Sequence, residues 1–283
     1  MRIWHQSFSD LDRAPVYRSA LQEHAARVVD PGTAVTVHGL RPGIYGPDIA
    51  PIDAIRYRYI EFLNEAQVCE AVLAAERAGY DAFALGCFFD PALRQARSLV
   101  DIPVVGLSES CMLLACSLGK TFGLVALNRD QRVRHEELAA EYGLERRFAG
   151  ATAMDPPIDE YTLEADGAAT VPIAAGFERA CQRMLDAGAE VIIPGDGFLN
   201  EFVWRRRITE VDGAPVLDAL GALFRHAAFM AGARVRLGLG VSRRGHYARP
   251  PAAMLEQARA RAGAAALGEE EFSGRAEPSE KRP

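Results

Sequence analysis

Apolar and polar positions along the 283 residues follow two alternating rhythms. Short β-branched and aromatic runs fall at 2–6, 34–38, 82–85, 104–106, 122–127, 147–151, 191–193 and 215–217, and each reads as a strand. Between them, apolar positions recur at helical spacing over 16–28, 62–78, 91–99, 109–118, 129–142, 172–187, 199–206 and 219–231. A Gly/Pro-rich loop covers 39–52, and an acidic loop holding Pro156-Pro157 precedes the helix at 172. Strand–helix alternation of this kind predicts an α/β fold whose parallel sheets are covered by helices.

The alternation restarts half-way. Ala78-Gly79-Tyr80-Asp81 leads through an apolar strand to Gly86-Cys87, and Ala187-Gly188-Ala189-Glu190 leads through another to Gly195-Asp196. Further on, Ile102-Pro103-Val104-Val105 has its counterpart in Ala214-Pro215-Val216-Leu217, and both enter an apolar helix. Two pseudo-symmetric lobes are therefore expected, each with a mostly parallel sheet flanked by helices and with the active site in the cleft between them. Residues 1–107 with 220–262 would form the first lobe and 108–219 the second. The charge-dense stretch 263–283 reads as a disordered tail.

Ligands of open parallel sheets collect beyond the carboxyl ends of the strands. The repeat puts Cys87 and Asp196 at matching strand ends, so the two lobes would present a thiol and a carboxyl group across one cleft. Such a pair can take a proton from one face of a carbon and return one to the other. Asp90 and Pro91 are expected to open a helix just after Cys87, whose amides would favour a thiolate. Apolar neighbours of Asp196 would raise its pKa toward a useful acid/base range. Gln6 and Ser7 end the first strand, and Asn128 ends its counterpart, so these are candidate substrate-binding groups. Phe88, Gly197 and Phe198 follow the two central residues directly, and Tyr45 lies in a loop able to cover the cleft.

Composition narrows the chemistry. A net charge of −6 leaves no basic footprint for nucleic acid or an anionic membrane, and no apolar run is long enough to span one. A cytoplasmic protein that takes a small-molecule substrate and forms a homo-oligomer through an apolar helix face is expected. Cys69, Cys87, Cys111, Cys116 and Cys181 lack the pattern of a disulfide framework, and the 6 histidines show no metal-ligand spacing. Of 32 basic residues only Lys120 and Lys281 are lysines, which leaves almost nothing for Schiff-base chemistry. No metal and no cofactor are expected.

The stretch from Gly79 through Gly86-Cys87-Phe88-Phe89-Asp90-Pro91 to Leu93, running on to Ile102-Pro103-Val104-Val105-Gly106 and Glu109, resembles the aspartate/glutamate/hydantoin racemase superfamily. It looks closest to the hydantoin racemase branch, and the resemblance covers roughly residues 1–250. It implies a cofactor-independent racemase or isomerase that moves a proton beside a carbonyl of a hydantoin, amino acid or dicarboxylate. Cys87 would be one of the two family cysteines, while the second falls at Asp196. The family's Asn-Pro-Asn-like opening turn is replaced by His5-Gln6-Ser7-Phe8. The same scaffold would also accommodate a Cys-nucleophile cis–trans isomerase, decarboxylase or hydrolase, or a non-catalytic binding protein.

Overall fold

A computed structural model describes residues 1–46, 48–165, 167–264 and 266–272. Its first sheet has the order β2 (Ala34–His38), β1 (Arg2–Ser7), β3 (Ala82–Gly86), β4 (Val104–Gly106), all parallel. The second has the order β6 (Phe148–Ala153), β5 (Phe122–Ala126), β7 (Val191–Pro194), again parallel. Val216 adds one parallel bridge to Ile192 on the outer side of β7. Both lobes thus share one strand order, and Cys87 and Asp196 follow equivalent strands. The strand expected at 215–217 shrinks to that bridge because Ala214–Pro215 pairs back on Glu210–Val211 in a hairpin. Pro215 also lacks the N–H that a longer ladder would use.

β3, β5 and β7 are buried along their whole length, which is why they read as continuous apolar runs rather than alternating ones. One core, holding Ile3, Ala84, Leu124, Ile193 and Phe224, is continuous across both lobes. A second lies behind the first sheet, where Trp4, Val72, Phe83 and Phe89 pack. Burying a side chain of this size contributes about 1.5–3 kcal/mol.

Helices connect the strands. α1 (Pro15–Val28) starts on a proline at its first turn, and α3 (Arg58–Arg77) and α4 (Leu93–Leu99) flank β3 in sequence. α5 (Leu107–Leu118) follows β4 without a loop, while α6 (Arg129–Glu141) and α7 (Val171–Asp186) serve the second lobe. α8 (Gly197–Arg205) begins right after Asp196. α9 (Ala219–Leu237) packs on α1, α5 and β3, and ends at Gly238 in the left-handed conformation at φ 66. A short helix, α2 (Pro51–Ile55), replaces the end of the stretch expected as loop.

The C-terminal region corrects one expectation. α10 (Ala252–Arg261) holds Glu70 through Arg259, with both N–H···O distances at 2.6 Å. Residues 266–272, expected to lie in a disordered tail, instead dock on the first lobe. Phe272 is 1% exposed, its ring 5.9 Å from Trp4, and its carbonyl accepts from Gly39 N at 3.0 Å. Glu269 accepts from Tyr80 Oη at 2.6 Å. A polar composition concealed a single aromatic anchor that fills a gap in the core. Residues 273–283 lie outside the described residues.

Candidate active site

The residues at the carboxyl ends of β1, β3 and β7 converge. Ser7, Cys87 and Asp196 line one narrow, partly open cavity of about 30 Å³, room for one or two waters. α1 contributes Tyr17, α2 contributes Pro51, Ile52 and Ile55, and α6 contributes Gln131. Phe88, Phe89 and Phe198 supply apolar walls, and Glu160 enters from the loop after β6. Larger clefts of about 590 and 730 Å³ open elsewhere, but neither brings together a strand-end thiol and a carboxyl group.

Asp196 is the N-cap of α8. Its Oδ1 accepts from the amides of Phe198 at 2.8 Å and Leu199 at 3.2 Å, and its Oδ2 accepts from Gln131 Nε2 at 2.9 Å. Burial raises its pKa, and the Leu199 amide, Gln131 and the Phe198 amide pull it part of the way back. Backbone must pass close on either side of the cavity. A Cβ at Gly197 would stand 2.6 Å from Tyr17 Oη, and one at Gly86 would stand 2.1 Å from His5 Nε2.

Cys87 is half-buried at the end of β3. Burial pushes its thiol well above the usual range, the Phe89 amide opposes this, and the carboxylates of Glu61, Asp90 and Asp196 add to the rise. The helix expected to begin at Asp90 does not form there. Asp90 takes φ 43 and Ala92 φ 56, and α4 starts only at Leu93. The Asp90 carboxylate turns away to cap α5, accepting from the amides of Ser108 at 3.1 Å and Glu109 at 2.9 Å. Cys87 is accordingly a thiol at neutral pH rather than a thiolate, a form suited to delivering a proton.

Tyr17 stacks on Phe198 at 3.7 Å, and burial, with the charges of Glu201 and Asp196, keeps its phenol protonated. Glu160 is 3% exposed, and its Oε2 is buried with no hydrogen-bond partner. Burial and the charge of Asp196 drive its carboxyl well above the usual range, against the backbone amides of Glu160 itself and Ile52. No Lys, Arg or His is among the described residues lining the cavity.

The family model for Asp/Glu/hydantoin racemase matches residues 14–227, most of the chain and both strand ends. The chain belongs to the Asp/Glu/hydantoin racemase family. It is an isomerase of the racemase type. It is 28% identical over 237 residues to a hydantoin racemase from Paenarthrobacter aurescens, covering 83% of this chain and 94% of that one. A hydantoin racemase from Pseudomonas sp. (strain NS671) is 29% identical over 176 residues, 62% of this chain and 68% of the other. Among solved structures, allantoin racemase from Klebsiella pneumoniae superposes with a TM-score of 0.70 at 25% identity, covering 88% of this chain and 94% of that one.

Of the residues singled out from the sequence of this racemase, Cys87, Asp196, Ser7, Phe88, Gly197 and Phe198 meet at the cavity. Gln6 does not. Its side chain points into the first lobe, accepting from Trp4 Nε1 at 3.0 Å and donating to Gly39 O at 2.8 Å. Strand alternation explains this, since Gln6 and Ser7 face opposite sides of β1. Asn128 is also diverted: it caps α6, accepting from Gln131 N at 2.9 Å. Tyr45 donates nothing to the cavity wall and is tied to Asn64 instead.

Gln131 is the residue that Asn128 stood in for. Its Oε1 accepts from Leu127 N at 2.6 Å, which aims Nε2 at Asp196. An N-cap Asn followed three residues later by Gln is a readable helix-start signature, so this position had a sequence signal. Glu160 had none, being one acid among several in a Pro-containing loop. No group of 3 or more His, Cys, Asp or Glu is placed to hold a metal among the described residues. None of the described helices is long and apolar enough to cross a membrane.

Proposed function

We propose that the protein is a cofactor-independent racemase of uncharged cyclic ureides of the hydantoin type. The observation that carries this reading is the convergence of Cys87 and Asp196, from equivalent strand ends of two lobes, on one narrow cavity. The ionised Asp196 takes the proton from the stereocentre, and the electron pair moves onto the adjacent carbonyl. The Cys87 thiol then protonates the carbon from the opposite face. Asp196 is left protonated and Cys87 as thiolate, a pair ready to act on the other enantiomer or to reset by exchange with water. The raised pKa of the thiol keeps it protonated, which suits this role better than nucleophilic attack. Ser7 lines the cavity as a polar group available to a developing enolate, whereas the Phe198 and Leu199 amides are taken by Asp196 itself.

The lining supports an uncharged substrate. A free amino acid or dicarboxylate would bring a carboxylate into a buried cavity that offers two carboxyl groups and, among its described residues, no cation. A hydantoin ring carries its carbonyls without that charge. The similarity to hydantoin and allantoin racemases points the same way.

The test is solvent deuterium uptake at the ring C–H of each enantiomer of benzylhydantoin, followed by proton NMR together with loss of optical rotation. Both enantiomers should exchange, and Cys87→Ala and Asp196→Ala should each slow the reaction by about 10²–10⁴-fold. Conversion of substrate without deuterium at that carbon would refute the reading.

A further inference from the structure

We propose that Glu160 is a third catalytic group of this racemase, its Oε2–H donating a hydrogen bond to the substrate carbonyl oxygen on which enolate charge collects. The inference deepens the racemase reading above and rests on it for the identity of the acceptor. The carboxyl group is 3% exposed, lines the same cavity as Cys87 and Asp196, and keeps Oε2 without a partner. Leaving a buried polar atom unpaired costs about 1–3 kcal/mol, so an orphan on a side chain that lines the substrate cavity marks where a substrate atom completes the set.

The arrangement of donors decides which form Glu160 takes. Asp196 receives three hydrogen bonds, from Phe198 N, Leu199 N and Gln131 Nε2, and each favours its anion. Glu160 receives the amides of Ile52 and of its own backbone, and Oε2 receives none. With Asp196 charged beside it, and Asp159 and the phenols of Tyr45 and Tyr161 as its other titratable neighbours, Glu160 holds its proton. Cys87 and Tyr17, across the cavity, are also neutral. A neutral carboxylic acid in an apolar site is a strong donor to an oxyanion, because it carries no charge that would repel the enolate. No proton leaves Glu160 in the cycle; its hydrogen bond strengthens as charge builds on the oxygen.

The same geometry gives α2 a part, since the Ile52 amide holds the Glu160 carboxyl group at the cavity wall. Glu160→Gln retains a donor at nearly the same place, and Glu160→Ala removes it. The exchange rate should fall about 10²–10³-fold in Glu160→Ala and recover most of that loss in Glu160→Gln. In the parent, ionisation of Glu160 should add to the alkaline fall in rate that Cys87 and His24 also bring, and that added fall should be missing in Glu160→Gln, whose amide does not titrate. An unchanged alkaline limb in Glu160→Gln would overturn the proposal, as would an alanine variant as fast as the parent. Infrared difference spectra give a readout independent of turnover. The parent near about pH 7 should show the carbonyl stretch of a protonated carboxylic acid that Glu160→Gln lacks. Absence of that band in the parent overturns the role of Glu160 even if racemisation stands. Its presence in a parent that exchanges no hydantoin deuterium leaves Glu160 neutral and refutes the substrate reading instead.

Discussion

His24 offers a quantitative check on the electrostatics that hold the catalytic helices together. Its ring is 0% exposed, with Nδ1 2.7 Å from Glu201 Oε1 and Nε2 2.8 Å from Asp218 Oδ2. It stacks on Trp204 at 4.2 Å. Burial alone would lower its pKa, but the two carboxylates outweigh this and lift it from 6.5 to about 9. At about 1.4 kcal/mol per pH unit, that rise corresponds to about 3 kcal/mol of stability. Because the folded value lies above the unfolded one, the contribution is complete below about pH 6.5 and is lost as pH rises through about 9. The right reference is the double variant His24→Gln with Glu201→Gln. The single histidine replacement would leave Glu201 buried as an uncompensated charge and lose stability for a different reason. Urea unfolding followed by circular dichroism at about pH 6.5 and about pH 9.5 gives the comparison. The stability difference between parent and double variant should shrink by about 3 kcal/mol across that interval. A difference that stays constant to within about 0.5 kcal/mol would refute the reasoning. Since His24 ties α1, which carries Tyr17, to α8, which begins at Asp196, racemase activity should also weaken at the alkaline end.

Two further outcomes follow from close contacts. Gly86→Ala forces a Cβ to within 2.1 Å of the buried His5 ring, so it should destabilise by about 1–3 kcal/mol and displace Cys87. Thermal unfolding and deuterium exchange should both register it, and an unchanged melting temperature would show that β1 and β3 are looser than described. Tyr142 donates to Asp90 Oδ2 at 2.6 Å across the lobes, and burial raises Asp90 from 3.8 to about 6. The phenol favours the ionised Asp90, so Tyr142→Phe should cost about 1–3 kcal/mol near about pH 7.5 and much less near about pH 4. Equal losses at both pH values would contradict that assignment.

The strand–helix order was legible because parallel strands buried on both faces leave continuous apolar runs, and β3, β5 and β7 are of this kind. The repeat that paired Cys87 with Asp196 was equally visible, since it rests on strand ends rather than on long-range contacts. What lay beyond the sequence was decided by side chains turning between competing partners. Asp90 was legible as a cap but not as the cap of α5, a helix that starts 17 residues later in the chain at Leu107. Gln6 and Ser7 are neighbours in sequence and opposite in space, and only the register of β1 says which one faces the cavity. Glu160 stands in a loop whose path periodicity does not encode, and Phe272 is a lone aromatic in a charged stretch. In each case tertiary packing, rather than local pattern, selected the role.

The size of the cavity bears on how fast a ligand can arrive. Space for one or two waters does not admit a ring the size of several, so binding requires a wall to move. The wall that α2 supplies is a helix of only 5 residues. Association is then governed by the fraction of molecules in an admitting conformation, and apparent affinity is reduced by that same fraction. Inhibitors of this enzyme should show slow onset, and compounds ranked by fit to the narrow shape would be ranked for the wrong state. A ligand that holds α2 away would bind faster than one that mimics the substrate more faithfully.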